Sequence, residues 1–452
     1  MVKPIFVSTC ILLCAGCATV RSARDAQRAS GASLPPGERA FSEAWFQFKD
    51  DNIVTLPEAQ RVSLGWHPEM VIATQNVVSA EIAVHQAGVN LRPVLSSSGS
   101  YGGSTQASEV NDWDRVTSDS FSASLSLSWV LYDFGRTRAK QRAAVEQLIG
   151  ANASLRATVL QRTLSVCNAY FALAEAKAQQ AVDIENLRLY AELLRQAELK
   201  FKIGKGRNYD ITKTRADRSE ALLSLLVTSN TIRNAQAVLS QELCLKTPVI
   251  FEIQPTYKLP QPEAVENIDA LLSIAKTNNP NLRLLQAKVA AASAAVDQAI
   301  ADLYPQVRAS ASTSYGTDPQ TWGFNWGASI VQDLFTGWQR RDAIRQSEAG
   351  LRQARANLVD QELQVTSKLI QAHTAYLTAM QSKLVAEEMQ VQTLENYTLE
   401  KKQFDIGMSS ILELNDAQVL YIKACSSNVK AEYAIEKAKA GIYAIVGIEP
   451  QF

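Results

Sequence analysis

The stretch that decides the fold is "SDSFSASLSLSWVLYDFGRTRA", residues 118–139. Its first half alternates serine with apolar residues, and the apolar set is Phe121, Ala123, Leu125, Leu127, Trp129 and Leu131. A period of two predicts a β-strand with one apolar face and one polar face. No proline occurs between Pro93 and Pro248. We therefore expect this strand to lead, just after Gly135, into a very long helix.

The composition argues against several classes of function. The chain has 452 residues with 45 Lys and Arg against 45 Asp and Glu, so no net charge favours nucleic acid. Its three histidines are far apart, and its cysteines form neither a disulfide framework nor a metal cluster. No Ser–His–Asp arrangement, phosphate-binding glycine loop or metal-ligand spacing stands out. We expect a protein that is not an enzyme and that has no cofactor and no metal.

The N-terminus is typical of a targeting segment. Lys3 precedes the apolar run 5–13, which predicts a signal peptide over residues 1–16. The end of this run, "CAGC" (14–17), resembles a bacterial lipobox. That resemblance implies that Cys17 is lipidated, that residues 17–56 form a lipidated N-terminal extension, and that Ala18 directs the protein to the outer membrane. The alternative is an ordinary signal peptide cleaved nearby.

Self-comparison indicates a tandem duplication. Pro68 and Pro93 are spaced as Pro280 and Pro305 are. Further segment pairs follow in the same order: "LSWVLYDFGRTRAKQRA" (127–143) matches "ASIVQDLFTGWQRRDAI" (328–344), and "KFKIGKGRNYDITKTRAD" (200–217) matches "KQFDIGMSSILELNDAQ" (402–418). The domains are then a first repeat over 57–247, a linker over 248–265 and a second repeat over 266–452.

Each repeat is predicted to be a helix, a β-hairpin, a long helix, a tight turn and a helix. The ranges in the first repeat are helix 58–90, strands 94–103 and 119–131, and helices 138–203 and 209–245. The second repeat has the same alternation over 306–315 and 322–330, giving four strands per chain. The alanine and leucine stripes on the helices predict coiled-coil-like packing.

The strands have the alternation of an outer-membrane barrel, with lipid-facing apolar and lumen-facing polar positions. A half-buried sheet of a soluble protein is the alternative. Two features favour the membrane: the signal peptide, and tryptophans in or near the strands where an aromatic girdle would lie. These are Trp113, Trp129, Trp322, Trp326 and Trp338. Four strands are too few to close a barrel, so closure requires an oligomer.

In layout, the chain resembles the TolC family of outer-membrane efflux proteins. The residues that carry the resemblance are the helix starts at 67–69 and 279–281, the strand-to-helix joints "DFGRTRA" (133–139) and "LFTGWQRRDA" (334–343), and the tips "KIGKG" (202–206) and "DIGMSS" (405–410). The resemblance covers roughly 58–447. It implies a mixed α/β membrane protein that trimerises into a 12-stranded β-barrel with an α-helical periplasmic tunnel. The linker between the repeats would contribute to an equatorial belt.

The resemblance also implies a function and partners. The protein would be the outer-membrane exit duct of a tripartite efflux or secretion system, lipid-anchored in the bacterial outer membrane and extending into the periplasm. Its partners would be two further copies, outer-membrane lipid, a periplasmic adaptor and a proton-driven or ATP-driven inner-membrane pump. The alternatives are a type I protein-secretion component, a periplasmic coiled-coil scaffold without a channel, and a periplasmic hydrolase. The cargo stays open among drug, metal ion, peptide and protein.

Two sets of site residues follow from the family pattern. The adaptor-docking tips would comprise Gly204 and Gly206 in the first repeat and Gly407 and Ser409 in the second. The alternative is that the glycines only end their helices.

A lumen gate is expected just after the second tip, at Glu413 and Asp416, which a spacing of three places on one helix face. Asp210 is the first-repeat counterpart of Glu413, and would join the constriction or bond to a neighbouring helix. The alternative is that these are ordinary solvated charges. Phe404 and Ser409 stand where the family often has a Tyr and an Arg that hold the closed state.

Overall fold

The computed structural model describes residues 53–107, 115–245, 252–253, 258–261, 267–317 and 320–449. The signal peptide, Cys17, Trp113 and most of the linker between the repeats lie outside these ranges. The described elements are, in chain order, β1 (Ile53–Val54), α1 (Leu56–Trp66), α2 (Pro68–Ala87), a 3₁₀ turn (Val89–Leu91), β2 (Val94–Ala107), β3 (Arg115–Tyr132), α3 (Arg136–Lys202), α4 (Asn208–Glu242), β4 (Glu252–Ile253), α5 (Ile268–Asn278), α6 (Pro280–Ala301), β5 (Gln306–Thr317), β6 (Gln320–Val331), α7 (Gln339–Asp405) and α8 (Ile411–Val446).

The chain forms two compact units. The first comprises the described parts of Met1–Ile72, Thr158–Ala275 and Lys368–Phe452. The second comprises Ala73–Ala157 and Lys276–Ser367, and it holds the four long strands.

The second unit contains one antiparallel sheet of order β2-β3-β5-β6. Its register places the apolar positions of all four strands on one face: one row joins Leu95, Leu127, Ala311 and Trp326. The row beside it, on the other face, joins Ser96, Ser126, Ser312 and Asn325. The predicted alternation is therefore confirmed as a two-faced sheet.

Hydroxyl pairs link β2 and β3 on the polar face. The Oγ atoms lie 2.7 Å apart in Ser96–Ser126 and Ser98–Ser124 and 2.8 Å apart in Ser100–Ser122. Cross-strand hydroxyl pairs of this kind stabilise an antiparallel ladder and leave the face polar but uncharged.

The predicted helix over 58–90 is interrupted. His67 has φ −68° and ψ 133°, between α1 and α2. Because Pro68 disfavours the α conformation of the residue before it, the helix must stop and restart there. The second repeat begins its corresponding helix at Pro280, where the side chain of Asn279 accepts hydrogen bonds from the N–H groups of Asn281 and Leu282.

The long helices are confirmed: α3 and α7 have 67 residues each. In the first unit α3, α4, α7 and α8 share a core that includes Tyr190, Tyr397 and Phe404. A second core, formed by α1, α3, α4 and α8, includes Tyr170, Phe171 and Leu173. Cys167 lies in this core and accepts a hydrogen bond from the Gln60 amide at 3.1 Å. Burial raises the pKa of the Cys167 thiol to about 12, so this cysteine packs as an apolar residue.

Two buried polar clusters also lie in the first unit. The Arg162 guanidinium contacts the carboxylates of Glu242 and Glu69, the latter at 3.3 Å. Elsewhere the buried Lys439 and Glu436 pair at 2.9 Å and bind the backbone C=O and N–H of Leu259, at 3.1 and 2.7 Å respectively. Because the second cluster satisfies both backbone groups of Leu259, it fixes part of the linker between the repeats on α8.

Candidate functional site

The first helical tip is a tight turn between α3 and α4. Gly204 has φ +73°, and its N–H donates to the carbonyl of Phe201 at 2.9 Å. The N–H of Lys205 donates to the carbonyl of Lys200, also at 2.9 Å. These two bonds around a left-handed glycine form a Schellman motif, which satisfies the last carbonyls of the helix.

The second tip, between α7 and α8, repeats this geometry. Gly407 has φ +81°, and its N–H donates to the carbonyl of Phe404 at 3.1 Å. The N–H of Met408 donates to Gln403 at 2.8 Å. Glycine is favoured at both turns because a positive φ strains residues that carry a Cβ.

The next positions of the two tips differ. A Cβ on Gly206 would lie 2.7 Å from the backbone nitrogen of Phe201, so a side chain does not fit there. Its counterpart Ser409 does carry a side chain, and the Ser409 hydroxyl lies 2.8 Å from a carboxylate oxygen of Glu400 and 3.0 Å from one of Glu413. At this position the first tip packs backbone against backbone, whereas the second forms hydrogen bonds between polar side chains.

Glu413 is the third residue of α8 and caps its first turn. One carboxylate oxygen accepts from the Ser410 N–H at 2.7 Å and lies 2.9 Å from the Ser410 hydroxyl. In return, the Glu413 N–H donates to the Ser410 hydroxyl at 3.3 Å, which completes a capping box. The hydrogen bonds from Ser410, followed by the one from Ser409, lower the pKa of Glu413. Glu413 is therefore a stable anion at the start of α8.

Asp210 holds the same place at the start of α4. It is the third residue of that helix, and its carboxylate accepts from the Arg207 N–H at 3.3 Å. The environments of Asp210 and Glu413 differ, however. Glu413 and Asp416 are exposed one turn apart on α8, whereas only 16% of the Asp210 side chain is exposed.

Lys200 is a residue of this site that sequence reasoning missed. Its ammonium donates to the Phe404 carbonyl at 2.9 Å and lies 3.3 Å from the centre of the Phe404 ring. Burial lowers the pKa of Lys200, against the opposing charges of Asp405 and Asp210. In sequence it looks like any cation in the last turn of a helix. In the structure it joins the end of the first repeat's long helix to the end of the second's.

Apolar side chains project from both tips. Ile203, Ile406 and Met408 are exposed by 67%, 71% and 78%. Each lies beside a left-handed glycine whose hydrogen bonds fix the local backbone. The tips are therefore well-ordered turns with apolar ends.

Comparison with known proteins identifies the class. Residues 62–243 and 271–448 match the family described as "OEP: Outer membrane efflux protein". The chain therefore belongs to this family, the TolC family of channels, as the sequence predicted. Its function as an efflux channel of the bacterial outer membrane is also confirmed. Members of the family are channels rather than enzymes.

Similar proteins include further outer-membrane efflux and export proteins. The outer membrane efflux protein BepC of Brucella suis biovar 1 (strain 1330) is 24% identical over 72% of this chain and 71% of its own length. The pyoverdine export outer membrane protein OpmQ of Pseudomonas aeruginosa is 25% identical over 80% of this chain and 75% of its own.

Solved structures show the same fold. The outer-membrane channel OprN matches with a TM-score of 0.75 at 19% identity, covering 93% of this chain and 95% of its own. VceC of Vibrio cholerae matches with a TM-score of 0.76 at 20% identity, covering 88% and 97%. Across the part of the chain that the structure describes, none of the helices has the length and apolarity needed to cross a bilayer.

Proposed function

We propose that three copies of this chain close a single β-barrel of twelve strands, with their helices forming a periplasmic tunnel. The observation that supports this most is the open sheet. Among the described strands, β2 and β6 have a neighbour on one side only. Unpaired edges are avoided in stable proteins, and four strands cannot close on themselves. Pairing β6 of one copy with β2 of the next would satisfy both edges.

The apolar face of the sheet supports a lipid environment. Its exposed side chains are large: Trp322, Phe324, Trp326 and Ile330 on β6 are each more than 60% exposed. A contiguous exposed apolar surface indicates a lipid or protein partner. The opposite face, with its serine rows, would then line an aqueous bore. In this arrangement the outward-facing tryptophans contact outer-membrane lipid, and a lipid on Cys17 adds a second anchor.

The tips suit docking to a periplasmic adaptor, which in turn contacts a proton-driven or ATP-driven inner-membrane pump. Support comes from the exposed Ile203, Ile406 and Met408 beside the fixed turns at Gly204 and Gly407. Gly206 would contribute through its close backbone packing and Ser409 through its bond to Glu400.

The gate would comprise Glu413 and Asp416. With threefold symmetry each exposed carboxylate becomes a ring, and carboxylate rings favour cations. The lowered pKa of Glu413 keeps its ring charged. Asp210, being mostly covered, would support the tip beside Lys200 instead of lining the bore. The competing interpretation is that Glu413 acts only as a helix cap.

Small molecules are the cargo class that the relatives favour. Those with informative names are described as exporting pyoverdine, toluene or antibiotics. A type I protein-secretion component is the second candidate. A periplasmic coiled-coil scaffold without a channel would not require a sheet with one apolar face and one serine-rich face.

Conductance in a planar lipid bilayer tests the proposal. The purified protein should give discrete single-channel steps and a native mass of three chains. Glu413→Ala with Asp416→Ala should reduce cation preference, with Glu395→Ala, an exposed carboxylate of α7 further from the tip, as the control. A protein that stays monomeric and gives no channel steps would contradict the proposal.

A further inference from the structure

The two connections between strand and long helix differ in length. The first runs from Asp133 to Gly135, and the second runs from Gln332 to Trp338. Both end on two residues with positive φ: Phe134 and Gly135 in the first, with φ 52° and 91°, and Gly337 and Trp338 in the second, with φ 60° and 70°. The helix entry is therefore the same, and the second connection carries additional residues before it.

The first connection satisfies its own groups. The buried Asp133 carboxylate accepts from the Thr137 N–H at 2.8 Å and from the Gly135 N–H at 3.2 Å. The Phe134 ring stacks on Tyr304 at 5.5 Å and packs edge-on against Tyr132 at 4.8 Å. Phe134 is 41% exposed, against 76% for Phe335, so the aromatic ring of the first connection is the better covered of the two.

The second connection projects its apolar side chains outward. Leu334, Phe335 and Trp338 are exposed by 93%, 76% and 63%, and the rings of Phe335 and Trp338 meet edge to face with their centres 6.1 Å apart. Trp338 also has a φ that bulky residues rarely adopt. A strained backbone that exposes a tryptophan suggests that the tryptophan contacts a partner outside the chain.

The arginines near the start of the two long helices, α3 and α7, also have different partners. In the first, Arg136 pairs with Asp302, and Arg142 pairs with Asp297 at 3.1 Å. The first repeat has His85 and Asn90 at the positions that correspond to Asp297 and Asp302. It therefore offers no equivalent carboxylates to the arginines at the start of α7.

At the start of α7, Arg340 is held by Asp333 at 2.7 Å, and the Arg341 guanidinium lies 5.8 Å from the Trp338 ring. Arg345 has only a 3.7 Å contact with Asp342, and both side chains are more than 60% exposed. Cations at a helix N-terminus oppose the helix dipole, so an external anion would be stabilised there.

We infer that Leu334, Phe335, Trp338, Arg341 and Arg345 form a phospholipid-binding surface, which we term the α7 anchor, and that its ligand is an anionic phospholipid headgroup. The inference rests on the proposed barrel, because the anchor continues the exposed apolar row of β6 where the strand ends. Aromatic rings beside arginines at that level suit the boundary between acyl chains and headgroups. The arginines supply the charge that anionic phosphates require.

Lipid competition measured by native mass spectrometry tests the charge. The full-length protein is presented with equal amounts of phosphatidylglycerol and phosphatidylcholine in mixed micelles. Arg341→Gln with Arg345→Gln should lower the preference for phosphatidylglycerol by about fivefold per arginine. The matched control, Arg352→Gln with Arg355→Gln, removes two exposed arginines further along the same helix and should change nothing.

Tryptophan quenching tests the apolar part. Trp338→Gly relieves the positive φ, so the fold should be retained. In vesicles containing lipids brominated near the headgroup, this variant should lose the share of the quenching that Trp338 contributes, while Trp322 and Trp326 keep theirs.

An unchanged lipid preference in the double arginine variant would overturn the inference, as would unchanged quenching in Trp338→Gly. Loss of the trimer in Trp338→Gly would also overturn it, because the surface would then contact a second copy. A parent protein that forms no channel would instead contradict the proposed function, so the two failures are distinguishable.

Discussion

Replacing the buried Arg162 tests how the first unit is held together. Only 8% of the Arg162 side chain and 17% of the Glu242 side chain are exposed, whereas Glu69 is 55% exposed. Arg162→Val therefore leaves a largely buried carboxylate without its cation. Removing one partner of a buried pair costs about 3–5 kcal/mol. We expect the free energy of unfolding to fall by that amount.

The second repeat suggests the compensating change. At the positions that correspond to Arg162 and Glu242 it has Val365, which is buried, and Ile445. The double variant Arg162→Val, Glu242→Ile introduces the two apolar residues that the second repeat has at these positions. Because well-packed apolar residues replace a buried ion pair at little cost, it should lie within about 1 kcal/mol of the parent.

The assay is guanidinium unfolding of the purified protein, followed by far-ultraviolet circular dichroism, with the parent and both variants at one protein concentration. Glu69→Gln is the control, and it should cost less than about 1 kcal/mol because Glu69 is largely solvated. A double variant as unstable as the single one would refute the reasoning, since the second repeat would then be no guide to the first.

Three further predictions concern the tips. Gly407→Ala should destabilise its turn by about 1–2 kcal/mol because alanine resists a positive φ, and Gly206→Ala should cost more because its Cβ has no room; equal amide exchange rates in both variants and the parent would contradict this. For Glu413, whose folded pKa is lowered, the stabilisation of α8's first turn is present above the unfolded pKa of 4.5 and is lost as pH falls through the folded pKa. Amide protection there, taken as the intrinsic exchange rate at each pH divided by the observed rate, should fall with acid in the parent and stay flat in Glu413→Gln, and a flat parent profile would disprove the capping role. Lys200→Met should speed exchange at both tips by removing a bond worth about 1 kcal/mol, and an effect confined to the first tip would show that the contact with Phe404 does not join the repeats.

The sequence predicts most of this fold because its signals are local and repeated. Alternation fixes the strand faces from Phe121 to Leu131, and the absence of proline allows helices of 67 residues. The strands extend beyond their predicted ends, to Ala107 and Arg115, because each is paired by its neighbour where the sequence itself turns polar. These additional strand residues depend on pairing with the neighbouring strand, so the pattern of one strand alone does not predict them.

The site residues are harder to predict because their roles depend on contacts between distant segments. Lys200 meets Phe404 across two repeats, and Asp210 is covered while its counterpart Glu413 is exposed. Equivalent sequence positions therefore have unlike environments. The α7 anchor extends the aromatic girdle in which the sequence places Trp338; the positive φ of Trp338 and the exposure of Arg341 and Arg345 are visible only in three dimensions.

Disulfide cross-linking between the open strands is the most direct test of the central claim, that copies pair through β2 and β6. Single cysteines along Val94–Ala107 are combined with single cysteines along Gln320–Val331 in one chain. The three described native cysteines are free, two of them buried, and serve as the background control. The account predicts covalent dimers and trimers, in a register that repeats every second residue because side chains alternate between faces. Cross-links within single chains only, or products larger than trimers, would contradict it.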